Sequence, residues 1–289
     1  MSGVTLLTGG TGFVGRQVLR ALDENGAQVR AVVRNGKQNQ IASLNCIEAV
    51  ITTQDLFAED SAWWSNVCAD VDTIIHVAWY AEPGQYLHSS KNLDCLLGTL
   101  QMAKGAAQAG VRRFIGIGTC FEYDLTGGLL STSTALRPLT PYAGAKAAVF
   151  TALSQWLPSQ NVEFAWCRLF YLYGEGEDSR RLVPYLHAQL NAGKTAELTS
   201  GNQIRDFLNV RDAGRLIVRI AMGDEHGPIN VCSTIPVSVR QIAEQIADEY
   251  GRRDLLRFGV RPENLNDPIC VVGSKHPFES ERAETFVHC

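Results

Sequence analysis

Apolar positions recur along the chain in short blocks, and between the blocks their spacing widens to that of a helix. The stretches VTLLT (4–8), QVRAVVR (28–34), IEAVI (47–51), DTIIHVA (72–78), RFIGIG (113–118) and EFAWCRLF (163–170) are rich in β-branched and aromatic residues and predict strands. Helical patterns occupy 13–24, 88–110 and 141–157. Such βα alternation argues for a parallel sheet covered by helices on both faces. The expected architecture is α/β: a Rossmann-like doubly wound parallel sheet over 1–170, followed by a smaller C-terminal substrate-binding lobe over 171–289. In that lobe the pattern changes to a helix at 181–192, a loop TSGNQIRDF (199–207) and a helix at 212–222. A strand near 229–232 is expected to return to the main sheet, and a helix follows, opened by a Ser238–Gln241 capping box. No internal repeat or low-complexity linker interrupts the chain.

Composition narrows the class. The 289 residues are 45% hydrophobic and 19% charged, a globular profile with enough chain for a large core or two lobes. A formal charge of −4 and a pI near 5.9 argue against a nucleic-acid or polybasic membrane surface. No apolar run is long enough to span a bilayer, and MSGVTLLTGG enters a strand without a charged-then-apolar signal, so a cytoplasmic location is expected. Eight cysteines (Cys46, Cys68, Cys95, Cys120, Cys167, Cys232, Cys270, Cys289) lack C-x-x-C spacing and are expected to be free thiols; with six histidines they suggest no metal cluster.

Two patterns carry candidate chemistry. In TLLTGGTGFVGRQV, Gly9, Gly12 and Gly15 follow the first strand and open a helix. Gly9 permits a tight turn, Gly12 lets the backbone approach a pyrophosphate, and Gly15 allows close helix packing; free N–H groups at the helix N-terminus face the anion. At the end of the second strand, where an NAD-binding fold carries an acid for the ribose hydroxyls, stands Arg34. It suits a 2′-phosphate, with Arg16 and Lys37 as helpers, and favours NADP(H). The alternative is a solvated arginine beside a site that takes NAD(H). The second pattern is PYAGAKAAV (141–149). Thr140 suits an N-cap and Pro141 a first helical position, so Tyr142 and Lys146 project from one helical face. A nearby ammonium lowers a phenol pKa, which makes Tyr142 a candidate acid or base. An amphipathic helix with a snorkelling lysine is the alternative.

Together these motifs resemble the extended short-chain dehydrogenase/reductase family, in its nucleotide-sugar epimerase/dehydratase/reductase branch, from Thr8 to about Asp267. The resemblance implies a third catalytic residue, Thr119 in GTCFEYD, four before Tyr123. It implies that Lys146 contacts the nicotinamide ribose and lowers the Tyr142 pKa, and that Tyr142 protonates a carbonyl oxygen as hydride arrives. It places Phe13 and Val14 with the glycines in the cofactor loop, Asp55 and Leu56 on the adenine side, and Ala78 of HVAW (76–79) at the cofactor edge. In SGNQIRDFLNVRD (200–212) Arg205 would pair with a substrate diphosphate, and Arg261 of RPENLNDP (261–268) would be a second clamp. Tyr171 of RLFYLYGEG replaces a family asparagine near the sugar. WYAEPGQYLH (79–88) is expected to line the sugar pocket, where its aromatics could pack on a deoxysugar methyl, or to pack as a lid loop.

Departures from the family's patterns select a reaction. The 4,6-dehydratases place an Asp-Glu pair after the catalytic Thr; here Cys120 and Phe121 follow, and Glu122 stands one place late, in an expected structural role. Epimerising reductases use a Cys two residues after the catalytic Ser and a His before an apolar pair and proline; those places hold Phe121 and Arg181. Cys120 is expected to be a buried filler. What remains is hydride transfer at one carbon. The expectation is NADPH-dependent reduction of a nucleotide-linked 4-keto-6-deoxy sugar, similar to the CDP-abequose and dTDP-deoxyhexose reductase type, supplying a deoxysugar for a polysaccharide or glycosylated metabolite. A nucleotide-sugar 4-epimerase with bound NAD is the first alternative, and a non-catalytic NADP-sensing regulator the second. The resemblance also implies a homodimer through the helix at 88–110, with Leu93, Leu96, Leu97 and Leu100, and the helix bearing Tyr142. The tail VVGSKHPFESERAETFVHC departs from the family's ending and looks truncated, which predicts exposed apolar surface and lower stability, or a covering partner chain.

Overall fold

The structure, a computed structural model, describes residues 3–41, 44–264 and 267–274. In chain order the strands are β1 (Val4–Thr8), β2 (Gln28–Arg34), β3 (Ile47–Thr53), β4 (Val71–His76), β5 (Arg113–Thr119), β6 (Leu129–Leu130) and β7 (Glu163–Leu169). They continue as β8 (Tyr171–Tyr173), β9 (Ala196–Glu197), β10 (Ile204–Asn209), β11 (Gly227–Val231), β12 (Pro236–Ser238), β13 (Leu256–Arg257) and β14 (Cys270–Gly273). The α-helices are α1 (Phe13–Glu24), α2 (Ser61–Val67), α3 (Lys91–Gln108), α4 (Pro141–Ser159), α5 (Leu182–Asn191), α6 (Val210–Met222) and α7 (Val239–Glu249).

The main sheet has the order β3-β2-β1-β4-β5-β7-β11 and is parallel throughout. Alternate residues of each strand feed two cores. Leu7, Val29, Val33, Ile75 and Ile117 face α1 and α6 through Val18, Leu22, Ile217 and Ile220. Leu6, Val32, Ile74, Phe114 and Trp166 face α2, α3 and α4 through Trp64, Met102, Ala106, Val149 and Leu153. Both faces are therefore dry, which is why these strands read as near-continuous apolar runs. Chain order reverses between β1 and β4. That switch point opens a crevice at the carboxyl ends of the strands, where this sheet type places a ligand.

The strand expected near 229–232 is β11, and it joins the main sheet beside β7. Among the elements that differ from expectation, two are instructive. TSGNQIRDF is not a loop: Ile204–Asn209 is the central strand of a second sheet, pairing with β12, β14 and β8. Its Arg205 and Asp206 read as loop residues, yet both are buried. Asp206 accepts from the Ser233, Thr234 and Gly273 backbones, and Arg205 pairs with Asp267 at 2.7 Å. Short α2 is also additional to the predicted set. Its SAWWSNV spans too few turns to show a period, and Asp60 caps it by accepting from Trp63 N–H at 2.8 Å.

On α3, Leu96 and Leu100 pack into the chain's own core, while Leu93 and Leu97 are exposed. No helix among the described residues is long and apolar enough to cross a membrane. The seven described cysteines are free thiols. The tail beyond Ser274, with Cys289, lies outside the described residues, as do Leu265 and Asn266 of RPENLNDP.

Candidate active site

The glycine loop sits at the switch point, between β1 and α1. Gly9 has φ +75°, and a Cβ there would lie 2.7 Å from the Ala78 nitrogen, so the turn and the close approach of β4 both require glycine. A Cβ on Gly15 would meet the Gly9 carbonyl oxygen at 2.0 Å, so helix and loop can touch only without a side chain. Gly12 differs. A Cβ there would meet only the Gly9 oxygen, at 3.3 Å, so the chain's own packing leaves that direction open. No side chain caps the first turn of α1, and no acid stands in it. An open glycine beside uncapped N–H groups fits a pyrophosphate. Phe13 and Val14 pack partly into the core beneath.

Around this loop the other expected cofactor residues are arranged at the strand ends. Ala78 N–H donates to Thr8 Oγ1 at 3.2 Å. Thr99 Oγ1 donates to the Cys95 carbonyl (2.7 Å) and so accepts from His76 Nε2 (3.0 Å); His76 Nδ1 then accepts from Thr8 Oγ1 (2.8 Å). Burial first, and the Lys146 charge second, push His76 down to about 3, so the ring is a neutral strut joining β1, β4 and α3. Arg34 is exposed at the end of β2 and makes no side-chain hydrogen bond or ion pair among the described residues. Asp55 is exposed and accepts from Phe57 N–H at 3.0 Å, while Leu56 beside it is buried.

Tyr142 and Lys146 lie on the first turns of α4. Thr140 caps the helix by accepting from Ala143 N–H at 3.2 Å, and Pro141 occupies the first turn. Thr119 ends β5 beside them, near enough for its hydroxyl to act on the Tyr142 phenol. The three residues expected to act together are thus brought together by β5 and α4. Their electrostatics correct one expectation. The Tyr142 pKa is raised, not lowered: burial is the largest cause, then the neighbouring Tyr86 and the Glu122 carboxylate, with the Thr119 hydroxyl acting the other way. Lys146 Nζ is turned away, donating to the Ile117 carbonyl at 2.6 Å and sitting 3.7 Å from the Trp79 ring centroid. Burial pushes Lys146 down to about 7, opposed by Glu122 and Cys95.

The loop WYAEPGQYLH packs on this pair. Trp79 donates its indole N–H to Asn92 at 2.9 Å, and the Tyr86 ring meets Tyr142 edge-on at 4.9 Å. Asn92 also donates to the Tyr86 and Ser89 carbonyls, tying the loop to the start of α3. The aromatics were visible in the sequence; their contact with Lys146 was not, because 67 positions separate Trp79 from Lys146.

Beneath Thr119, Glu122 is fully buried and pairs with Arg168 at 2.7 Å, in the structural position expected of it. Cys120 is buried, and desolvation pushes its thiol up to about 12, so it is a filler and not a nucleophile at neutral pH. Tyr171 stands between Phe121 and Phe207, 6.1 Å from each ring. Arg205 lies 5.2 Å over Tyr171 and holds Asp267, and Arg261 lies 4.6 Å over Tyr185. The two arginines expected as diphosphate clamps are thus engaged with different partners, Arg205 buried and Arg261 exposed. Among the described residues no cluster of His, Cys, Asp or Glu could hold a metal.

The model of the NAD dependent epimerase/dehydratase family matches residues 5–232. The chain is 24% identical over 272 residues to a dTDP-6-deoxy-L-talose 4-dehydrogenase (NAD(+)) of Aggregatibacter actinomycetemcomitans, covering 93% of this chain and 99% of the relative. It is 24% identical over 269 residues to a dTDP-4-dehydro-6-deoxy-D-allose reductase of a Streptomyces species, covering 87% and 82%. Among solved structures, the UDP-N-acetylglucosamine 4-epimerase of Methanobrevibacter ruminantium M1 superposes with a TM-score of 0.82 at 21% identity, over 96% of this chain and 90% of that one.

Proposed function

The chain belongs to the NAD dependent epimerase/dehydratase family, and from that premise we propose that it is an NADPH-dependent reductase of a nucleotide-linked 4-keto-6-deoxy sugar. The observation that carries the reading is a phenol kept protonated beside a hydroxyl, with no proton carrier at the next two positions. Tyr142 stands beside Thr119 and its pKa is raised by burial, so at neutral pH it is a proton donor. Cys120 stays a thiol and Phe121 has no proton to move, which disfavours elimination at a neighbouring carbon. The two relatives just described are named for redox chemistry at position 4 of a 6-deoxy sugar, which supports the same reading.

The dinucleotide would be held by Gly9, Gly12, Phe13, Val14 and Gly15 at the pyrophosphate, Asp55 and Leu56 at the adenine, and Ala78, Tyr142 and Lys146 at the nicotinamide end. Arg34, without a partner among the described residues, favours the 2′-phosphate of NADP. When bound, the cofactor supplies the hydride. The chain's own residues do the rest: Thr119 holds the C4 oxygen by a hydrogen bond, and Tyr142 delivers its proton to that oxygen. Lys146 lies on the same helical face as the phenolate that forms. Phe121, Tyr171 and Tyr86 offer an apolar wall to the sugar, and Arg205 and Arg261 would turn to its diphosphate.

The test is NADPH loss, followed by its near-ultraviolet absorbance, with a panel of enzymatically prepared 4-keto-6-deoxy nucleotide sugars and NADH in parallel. Steady loss with one member, and little with NADH, is expected. No loss from protein that purifies with NAD bound would move the assignment to a 4-epimerase. No loss and no bound NAD would leave the NADP-sensing alternative.

A further inference from the structure

The reaction above uses Thr119, Tyr142 and Lys146 and leaves one buried charge without a task. Glu122 lies three residues after Thr119, fully buried. Its Oε1 accepts from the Thr119 backbone N–H (2.8 Å) and the Trp166 indole N–H (3.0 Å), and its Oε2 accepts from Arg168 Nε (2.7 Å). Thr119 Oγ1 in turn accepts from Phe121 N–H at 3.3 Å, so Thr119 and Glu122 close a reciprocal capping box around one turn. The strand is shaped for this contact. A Cβ on Gly118 would fall 2.4 Å from Glu122 Oε1 and 2.2 Å from Trp166 Nε1, and one on Gly116 would fall 2.3 Å from the Trp166 ring. A buried ion pair is a poor device for stability alone, since well-packed apolar residues do as well or better in such a place.

One of the carboxylate's partners also lies beside a reacting group. Lys146 Nζ stands 5.7 Å from the centroid of the same Trp166 ring whose N–H Glu122 accepts. The other titratable groups around the pair are neutral near pH 7. His76 on β4 is pushed down to about 3, and Cys95 on α3 up to about 11. Cys120 is pushed up to about 12, and Tyr86, faced by Arg181, is raised by burial. Arg205 and Asp206 act on Cys120, and Arg168 lies against Glu122 itself. Among the described residues, Glu122 is thus the charge that acts on both Tyr142 and Lys146.

We propose that Glu122 is a positioning residue of the reaction: it orients the Thr119 hydroxyl through the capping box, and its charge holds Lys146 as an ammonium and Tyr142 as a phenol. The inference rests on the reductase reading. Removing the charge lets both groups lose their protons at lower pH, so the alkaline limb of reductive kcat moves towards acid.

Glu122→Gln keeps the shape and removes the charge. The limb is expected about one pH unit lower, as for a unit charge acting over several Å at an effective dielectric near ~20. Above the limb kcat falls about tenfold, the equivalent of that unit, with KM within about twofold. A purely structural role would scale kcat at every pH and leave the limb in place. The indole N–H resonance of Trp79, which reports the titration of Lys146, gives a readout that needs no substrate, and its midpoint is expected to move the same way. If the parent reduces no sugar, the reductase reading falls and this midpoint alone decides the role of Glu122. Because Glu122→Gln leaves Arg168 buried and unpaired, the double variant with Arg168→Gln is measured beside it, with the same shift expected. A folded variant whose limb and midpoint stay in place overturns the proposal. So does failure of both variants to fold, which would make the carboxylate a folding element.

Discussion

The glycine loop and the Tyr142 pocket lie at the same end of the main sheet, and they are built by opposite means. The loop works through what its residues lack. Gly9 and Gly15 let β1, β4 and α1 touch, and Gly12 leaves a direction open that nothing in the chain fills. Its elements are neighbours in sequence, and its binding groups are backbone N–H atoms whose position follows from the strand-turn-helix path. The pocket works through what its residues bring. Tyr142 and Lys146 from α4, Thr119 from β5 and Trp79 and Tyr86 from the loop after β4 converge from distant parts of the chain, and each is desolvated by the others. A backbone site cannot be retuned by charge, whereas a buried side-chain site depends on it. Binding and chemistry should therefore fail separately.

The sharpest break of that pairing is Tyr142→Phe. It removes the proton donor and keeps the ring against Tyr86. Turnover is expected to fall about 10³-fold, at the middle of what general acid catalysis contributes, with the NADPH dissociation constant within about twofold. Stopped turnover with equally weakened cofactor binding would mean the two regions are not separable. The converse is Gly15→Ala, which forces a methyl into the Gly9 carbonyl. Overpacking of this kind costs about 1–3 kcal/mol. If the strain falls on the loop, NADPH titration by fluorescence should show binding weakened about 10- to 100-fold. Unchanged affinity would show that the loop yields without moving its N–H groups.

A smaller effect separates the regions by pH. The Lys146 pKa is lowered by burial to about 7 in the folded chain, from about 10.5 when unfolded. Below pH 7 the lysine is charged in both states and the desolvation penalty is fully present. Between about 7 and 10.5 the unfolded chain binds the extra proton, so this group's contribution to stability rises with pH. In urea unfolding, the stability difference between the parent and Lys146→Met should therefore shift towards the parent across that window, by at most about 1.4 kcal/mol per pH unit. A difference that stays flat would place the Lys146 titration elsewhere. No such slope is expected from the glycine loop, which holds no titrating side chain.

Most of the fold could be read from the chain because parallel strands buried on both faces leave dense apolar runs, and the glycine loop because its residues lie within a single turn. The spacing of Tyr142 and Lys146 also sufficed to put them on one helical face. Other features needed the tertiary structure. The strand Ile204–Asn209 carries Arg205 and Asp206, which lose their loop character only because Asp267 and the Ser233, Thr234 and Gly273 N–H groups meet them inside. The direction of the Tyr142 shift followed from the same cause. Adjacency to Lys146 argued for a lowered pKa, but an ammonium turned towards the Ile117 carbonyl and the Trp79 ring does not outweigh burial. The sequence thus determined which groups could react and on which elements they stand, because those follow from local spacing and from the side-chain alternation of buried strands. Whether each group is charged, and what holds it so, was decided only by folding, because desolvation and pairing depend on neighbours brought from far along the chain.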